Sequence, residues 1–116
     1  MKPQPKPTNT KKKPIYNGYK DKADRTCYYC DSPYAERHEV YGGANRKISM
    51  REDFQVDLCM NCHEGIHNQR TPEDKERKEY WQKHYQEKYE NKLIEEGLHP
   101  ELAREEWIQL IGRSYL

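Results

Sequence analysis

The sequence is short of apolar residues. Only 33% of its 116 residues are hydrophobic against 35% that are charged, and Phe occurs once. A chain this polar cannot bury a large core, and domains of this size are marginal even when better supplied. Another source of folding energy is therefore expected. No run approaches the roughly 20 apolar residues needed to span a bilayer, so a membrane partner is not expected. The opening Met1-Lys2-Pro3-Gln4-Pro5 lacks the apolar stretch of a secretory signal. That points to a reducing, cytoplasmic setting, where paired cysteines bind metal more often than they form disulfides. No internal repeat is visible, and the pattern leaves the oligomeric state open.

What is present is unevenly distributed. The formal net charge is +1, yet residues 1–26 hold seven Lys and one Arg against two Asp. Residues 71–116 are acidic, with eight basic side chains against eleven. A basic arm on an acidic body suits an anionic partner such as nucleic acid; a solvated tail accounts for the charge equally well. Residues 1–14, rich in Pro and Lys, read as a flexible arm. A metal-bound domain is expected over residues 15–70, with order beginning near Ile15, Tyr16 and Tyr19. A two-helix extension follows over 71–116.

Thr26-Cys27-Tyr28-Tyr29-Cys30-Asp31 has the form of a metal-binding knuckle on a tight turn. Residues 35–41 alternate well enough for a short strand, ended by Gly42-Gly43. A polar loop is expected through Asn45, Arg46, Lys47 and Ser49. A second strand is expected at 54–58, with Phe54, Val56 and Leu58 on one face. A helix should start near Cys62 and run to about Asn68. Thr71-Pro72-Glu73-Asp74 is a helix start, with Thr71 as N-cap and Pro72 at the first helical position. That helix should reach about Glu96, where Gly97 stops it. Trp81, Tyr85, Tyr89 and Leu93, four apart, form a stripe suited to packing on the metal domain. Pro100 opens a last helix to about Ile111, with Leu102, Trp107, Leu110 and Ile111 available for burial.

The two Cys-x-x-Cys pairs, Cys27/Cys30 and Cys59/Cys62, are the most specific signal. Zinc takes four ligands tetrahedrally, with thiolate sulfur at about 2.3 Å. A two-residue spacer lets both sulfurs of a knuckle face one point. Such a closed site is structural and contributes folding free energy of order 10 kcal/mol in comparable peptides. A redox dithiol would call for a more apolar βαβ setting, which this chain lacks.

Cys62 is followed at once by His63, and His67 lies four residues on. Residues four apart stack on one helix face, so both imidazoles can bind one metal ion. His38 lies in the first strand, which the zinc clamp ties to that helix. An imidazole beside a metal with open positions can deprotonate water while the metal stabilises charge growing on a phosphate. The combination suits phosphodiester hydrolysis. Bland readings stand beside it: a strand histidine at His38, a knuckle cap at His63, a loop-solvating role for Arg46 and Lys47 in place of a phosphate clamp. Tyr28 and Tyr29 suit packing over the knuckle better than stacking on bases, and His84 and His99 read as surface residues.

These residues carry a family resemblance. A strand His, a loop Asn and then Cys-x-x-Cys-His-x-x-x-His resembles the HNH (His-Me finger) nucleases, which share a ββα-metal fold. The stretch from Arg37 to Ser49, followed by Leu58 to His63, is similar to small HNH-like proteins of bacteriophages and prophages. The likeness covers roughly residues 26–70, and the closing segment from Glu105 to Leu116 also resembles the tail of those proteins. It implies a small α+β fold, a zinc-stabilised ββα-metal domain with a helical C-terminal extension. The implied activity is a DNA endonuclease using Mg²⁺ or Mn²⁺ in phage DNA processing or recombination. By position, His63 matches the final motif His, a metal ligand, and His67 a second helical His that some members use. The strand tandem is either Arg37-His38, with His38 as base, or His38-Glu39, with His38 as ligand and Glu39 as base. Phe54 stands where many members have Asn; Asn45 in the loop is the candidate for that role, and a plain turn residue beside Ala44 is the equal alternative. A zinc-finger-like module that binds nucleic acid without cutting it is the alternative, and an adaptor docking through the aromatic helix a third.

Overall fold

The computed structural model describes residues 25–116. The basic arm at 1–14 and the expected first ordered residues, Ile15, Tyr16 and Tyr19, lie outside them. The described elements are β1 (Glu36–Glu39), a 3-10 turn (Gly43–Asn45), α1 (Arg46–Glu52), β2 (Gln55–Leu58), α2 (Met60–Asn68), α3 (Pro72–Glu95) and α4 (Pro100–Ile111). The fold is thus a small α+β arrangement of four helices and one two-stranded sheet.

β1 and β2 pair antiparallel, with Glu36 opposite Leu58 and His38 opposite Val56. Residues directly opposite share a face of the sheet. Phe54, Val56 and Leu58 alternate as the sequence implies and are all buried. The apolar face of β2 therefore fixes the side to which Glu36 and His38 turn, and Ile66 of α2 joins that core. By the same alternation Arg37 turns to the opposite face, beside Asp57.

Residues 45–49 depart from the expected polar loop, because α1 begins at Arg46. Seven residues are too few to show a helical period, and only Ile48 and Met50 are clearly apolar. Tertiary contacts supply what the sequence does not advertise. Ser49 is fully buried; its Oγ accepts from Tyr41 N at 3.0 Å and donates to Tyr41 O at 2.8 Å. Asp53 closes α1 in a left-handed conformation, φ 62°, which Asp tolerates better than most residues.

α2 starts two residues before the position expected from Cys62, because Cys59 takes the N-cap and its Sγ accepts from Cys62 N. In α3, Thr71 Oγ1 accepts from Asp74 N at 3.1 Å, as its cap sequence predicts. Gly97, at φ +106°, lets Leu98 N reach back to Leu93 O at 3.0 Å and end the helix. α2 and α3 approach closely at Gly65, where a Cβ would lie 3.0 Å from the Asp74 carboxylate oxygens. α4 follows its Pro100 start, and His99, read as a surface residue, also caps it by accepting from Glu101 N at 3.2 Å.

The core is largely aromatic. Phe54 sits among Tyr41, Tyr85, Tyr89 and Trp107, with ring centroids 5.5–6.3 Å apart. The α3 stripe of Trp81, Tyr85 and Tyr89 thus covers the sheet unit as its spacing predicts. In α4 the buried row is Ala103, Trp107 and Ile111, four apart. Leu102, expected to be available for burial, falls one position off that row and is 48% exposed.

Candidate functional site

The first knuckle is a backbone turn fastened to the sheet. Asp31 N donates to Cys27 O at 3.0 Å and Cys27 N to Ser32 O at 2.9 Å, while Tyr28 N reaches Asp57 O of β2 at 2.8 Å. The second knuckle is the junction of β2 with α2, where His63 N donates to Cys59 O at 2.8 Å and Cys62 N to Cys59 Sγ at 3.5 Å. Together the two turns bring the sulfurs of Cys27, Cys30, Cys59 and Cys62 within 4.8 Å of one another. Cys30 Sγ and Cys59 Sγ are 3.6 Å apart. A tetrahedron of sulfurs at the usual zinc–thiolate distance has an edge of about 3.8 Å. The donor set and its spacing suit a structural metal such as zinc.

The protonation of these thiols is uneven. Hydrogen bonds from Ser32, whose Oγ lies 3.1 Å from Cys30 Sγ, draw the Cys30 thiol down to about 6. Burial, then hydrogen bonding to Cys59 and Cys27, pushes Cys62 up to about 12. Several thiolates cannot share so small a space unless a cation neutralises them.

Beside this cluster, β1 and α2 bring the histidines together. The His38 and His63 rings are 4.9 Å apart edge to face, and His63 and His67 are 6.3 Å apart. His63 Nδ1 lies 3.0 Å from Glu36 Oε1. A carboxylate only accepts, so the bond places a proton on Nδ1 and leaves Nε2 free to ligate. His38 is buried, 9% exposed, and its pKa is lowered to about 4, chiefly by burial and then by electrostatic interaction with His63, His67 and Lys78. It is neutral at pH 7, and among the described residues its ring makes no hydrogen bond.

A cleft of about 330 Å³ opens here, and His38, Glu39, Asn45, His63 and His67 all line it. Residues chosen from three separate stretches of sequence thus share one space. Their commitments differ. Asn45 Nδ2 donates to Ile111 O at 2.8 Å, so this side chain ties the 3-10 turn to α4. Glu39 Oε1 meets Arg46 Nε at 3.2 Å, and its Oε2 is buried with no hydrogen-bond partner among the described residues. Arg37, the other candidate of the strand tandem, faces Asp57 at 3.6 Å. Phe54 belongs to the aromatic core and does not line the cleft.

The imidazoles do not converge as the thiols do. Among the described residues the four cysteines form the one group of three or more such ligands within 4.8 Å. Tyr28 and Tyr29 pack over the knuckle: Trp81 Nε1 donates to Tyr29 Oη at 2.7 Å and Arg77 lies 3.8 Å from the Tyr29 ring centre. Tyr28 stays 60% exposed, with its ring edge-on to Trp81 at 5.1 Å.

Sequence reasoning passed over Glu36, Lys78, Gln82 and Tyr115. Glu36 had a usable signal, since it lies two residues before His38 and so on the same face of β1. Lys78 and Gln82 of α3, and Tyr115 after α4, line the same cleft but are brought there by long-range packing, which leaves no local mark. No helix among the described residues is long and apolar enough to cross a membrane. Comparison with protein-family models, with curated proteins and with solved structures finds no match to this chain.

Proposed function

We propose that this chain is a metal-dependent DNA endonuclease of the HNH type, phage- or prophage-encoded, built on a zinc-stabilised ββα-metal domain. The observation that carries the reading is the 4.9 Å pairing of strand His38 with helical His63 in an open cleft, next to the four-cysteine cluster. The residue types also fit a cation, because His63 Nε2 is left free by Glu36 and Glu39 Oε2 is buried without a partner among the described residues. His63 and His67 would hold Mg²⁺ or Mn²⁺, which when bound supplies electrophilic stabilisation of charge on a phosphate. His38, neutral at pH 7, accepts the proton of the attacking water. Glu39 is the alternative base, and the carboxylate's ion pair with Arg46 makes it the weaker choice. Lys78 and Arg46 line the cleft as cations able to offset a phosphodiester's charge.

The test is nicking of supercoiled plasmid with Mg²⁺ or Mn²⁺, compared with His63→Ala. Wild-type protein is expected to nick in a metal-dependent manner. The variant should lose at least about 100-fold in rate, the scale of a lost acid–base or metal-ligand contribution, while keeping its zinc. A His63→Ala protein that nicks at the wild-type rate removes the assignment. One observation favours a second reading, a nucleic-acid-binding module without catalysis: the three imidazoles stay less tightly grouped than the thiols. Metal-independent retardation of intact plasmid is its expected signature.

A further inference from the structure

The cleft does not end at the histidines. Lys78, Gln82 and Tyr115 also line a second depression of about 570 Å³, which runs between α3 and the segment after α4. Lys83 and Arg113 line it as well, with Glu79 as the opposing acidic side chain. Among the described residues, Lys78, Lys83 and Arg113 enter no ion pair, although Glu79 lies one helical turn before Lys83. Arg113 instead lies over the Tyr115 ring, 4.6 Å from its centre. Three cations that form no ion pair among the described residues, against one acidic side chain, in a groove continuous with the histidine cleft, suit an extended anion.

The wall beside them is held in place. Gln86 is fully buried; its Oε1 accepts from Tyr115 N at 2.6 Å and its Nε2 donates to Ser114 Oγ at 3.0 Å and to Glu90 Oε2 at 2.7 Å. Arg104 Nε caps that carboxylate at 2.7 Å. The segment carrying Arg113 and Tyr115 is thereby fixed against α3. A preorganised row of cations costs less ordering on binding than one on a loose tail.

We propose that this groove carries the sugar–phosphate backbone of the nucleic-acid strand whose scissile bond lies in the histidine cleft, with Lys83 and Arg113 contacting phosphates beyond that bond. The assignment rests on the nuclease reading for its direction, since the cleft defines where the strand must lead. Contacts of this kind hold the strand in place and are insensitive to sequence.

The test measures binding of full-length protein to a fluorescein-labelled 20-nucleotide single strand, and to its duplex, by anisotropy across a salt series without added divalent metal. Lys83→Gln/Arg113→Gln is compared with Lys75→Gln/Lys92→Gln, an equal charge change at exposed sites of α3 outside the groove. The groove pair is expected to weaken binding about tenfold or more and to lower the slope of log K against log salt by about 1.5, for two lost phosphate contacts. The control pair should leave the slope within experimental error. A larger loss on the single strand than on the duplex identifies an unpaired backbone as the ligand, and the reverse a duplex. A groove pair with wild-type affinity and slope, or a control pair that weakens binding equally, overturns the proposal. Because no cleavage is measured, a wild-type protein that binds through the groove but fails to nick plasmid removes the nuclease reading alone.

Discussion

A cysteine cluster and a histidine cluster lie side by side in this molecule and are built differently. The cysteines sit on two turns whose backbones are fastened to β2 and α2 by short hydrogen bonds, and their sulfurs converge within 4.8 Å. The histidines come from the middle of a strand and one face of a helix, spread over ring separations of 4.9 and 6.3 Å, and open onto a cleft. A closed set of four soft donors leaves no room for a reactant and acts on stability. An open set with free lone pairs leaves room and can act on a substrate. The difference lies in how many ligating atoms the local backbone aims at one point.

The strongest way to break the comparison is to remove a sulfur. Cys62→Ser should abolish zinc retention and unfold the described domain, since a four-thiolate site contributes of order 10 kcal/mol. Metal analysis with circular dichroism checks it, and a variant that melts like the wild type would remove the structural role. The histidine cleft should respond to pH instead. His38 has a folded pKa of about 4 against an unfolded value of 6.5. Below pH 6.5 the unfolded chain takes up a proton that the folded chain refuses, so stability falls as pH drops from about 6.5 to about 4 and then levels. The loss is on the order of 3 kcal/mol at most. His38→Gln should flatten that part of the curve, and the difference between wild type and variant in urea melts at pH 7 and pH 4.5 isolates the effect from any loss of zinc common to both.

The smallest effect sharpens the distinction within the cleft. Glu36→Gln keeps the shape beside His63 Nδ1 but removes the charge. It should weaken Mn²⁺ binding at the cleft by about 10- to 100-fold, the usual scale for a partner behind a ligating histidine. Zinc content and melting temperature should stay close to wild type. Mn²⁺ titration followed by electron paramagnetic resonance reads the affinity directly, and unchanged affinity would show that Glu36 does not position His63.

The same contrast explains what could be read from the sequence. The cysteine cluster was legible because its geometry is local: each pair is set by a two-residue spacer, and the strand–helix junction places the second pair. The ends of α3 and α4 were legible for the same reason, in Thr71-Pro72, Gly97 and Pro100. The cleft was legible in part. His38, His63 and His67 follow from strand and helix periodicity once the two elements are clamped. Lys78 and Tyr115 arrive from α3 and from beyond α4 through packing that no local pattern encodes. α1 was missed because its helical state depends on Ser49 locking the Tyr41 backbone, a contact eight residues away. Asn45 was assigned by analogy to the chemistry, and only its bond to Ile111 O shows a side chain already engaged in joining distant parts of the fold.

One helix bears on both clusters. α3 meets the first knuckle through the bond from Trp81 to Tyr29, meets the sheet where Tyr85 Oη donates to Gln55 O at 2.6 Å, and lines the cleft with Lys78 and Gln82. The residues that meet the knuckle, Arg77 and Trp81, alternate with Lys78 and Gln82 along the same two turns of α3, so a loss of order at the knuckle reaches the cleft through one stretch of helix. Stripping the knuckle of its ion should therefore speed amide exchange at Gln82 and along the cleft wall together with exchange around Tyr29, in one concerted opening.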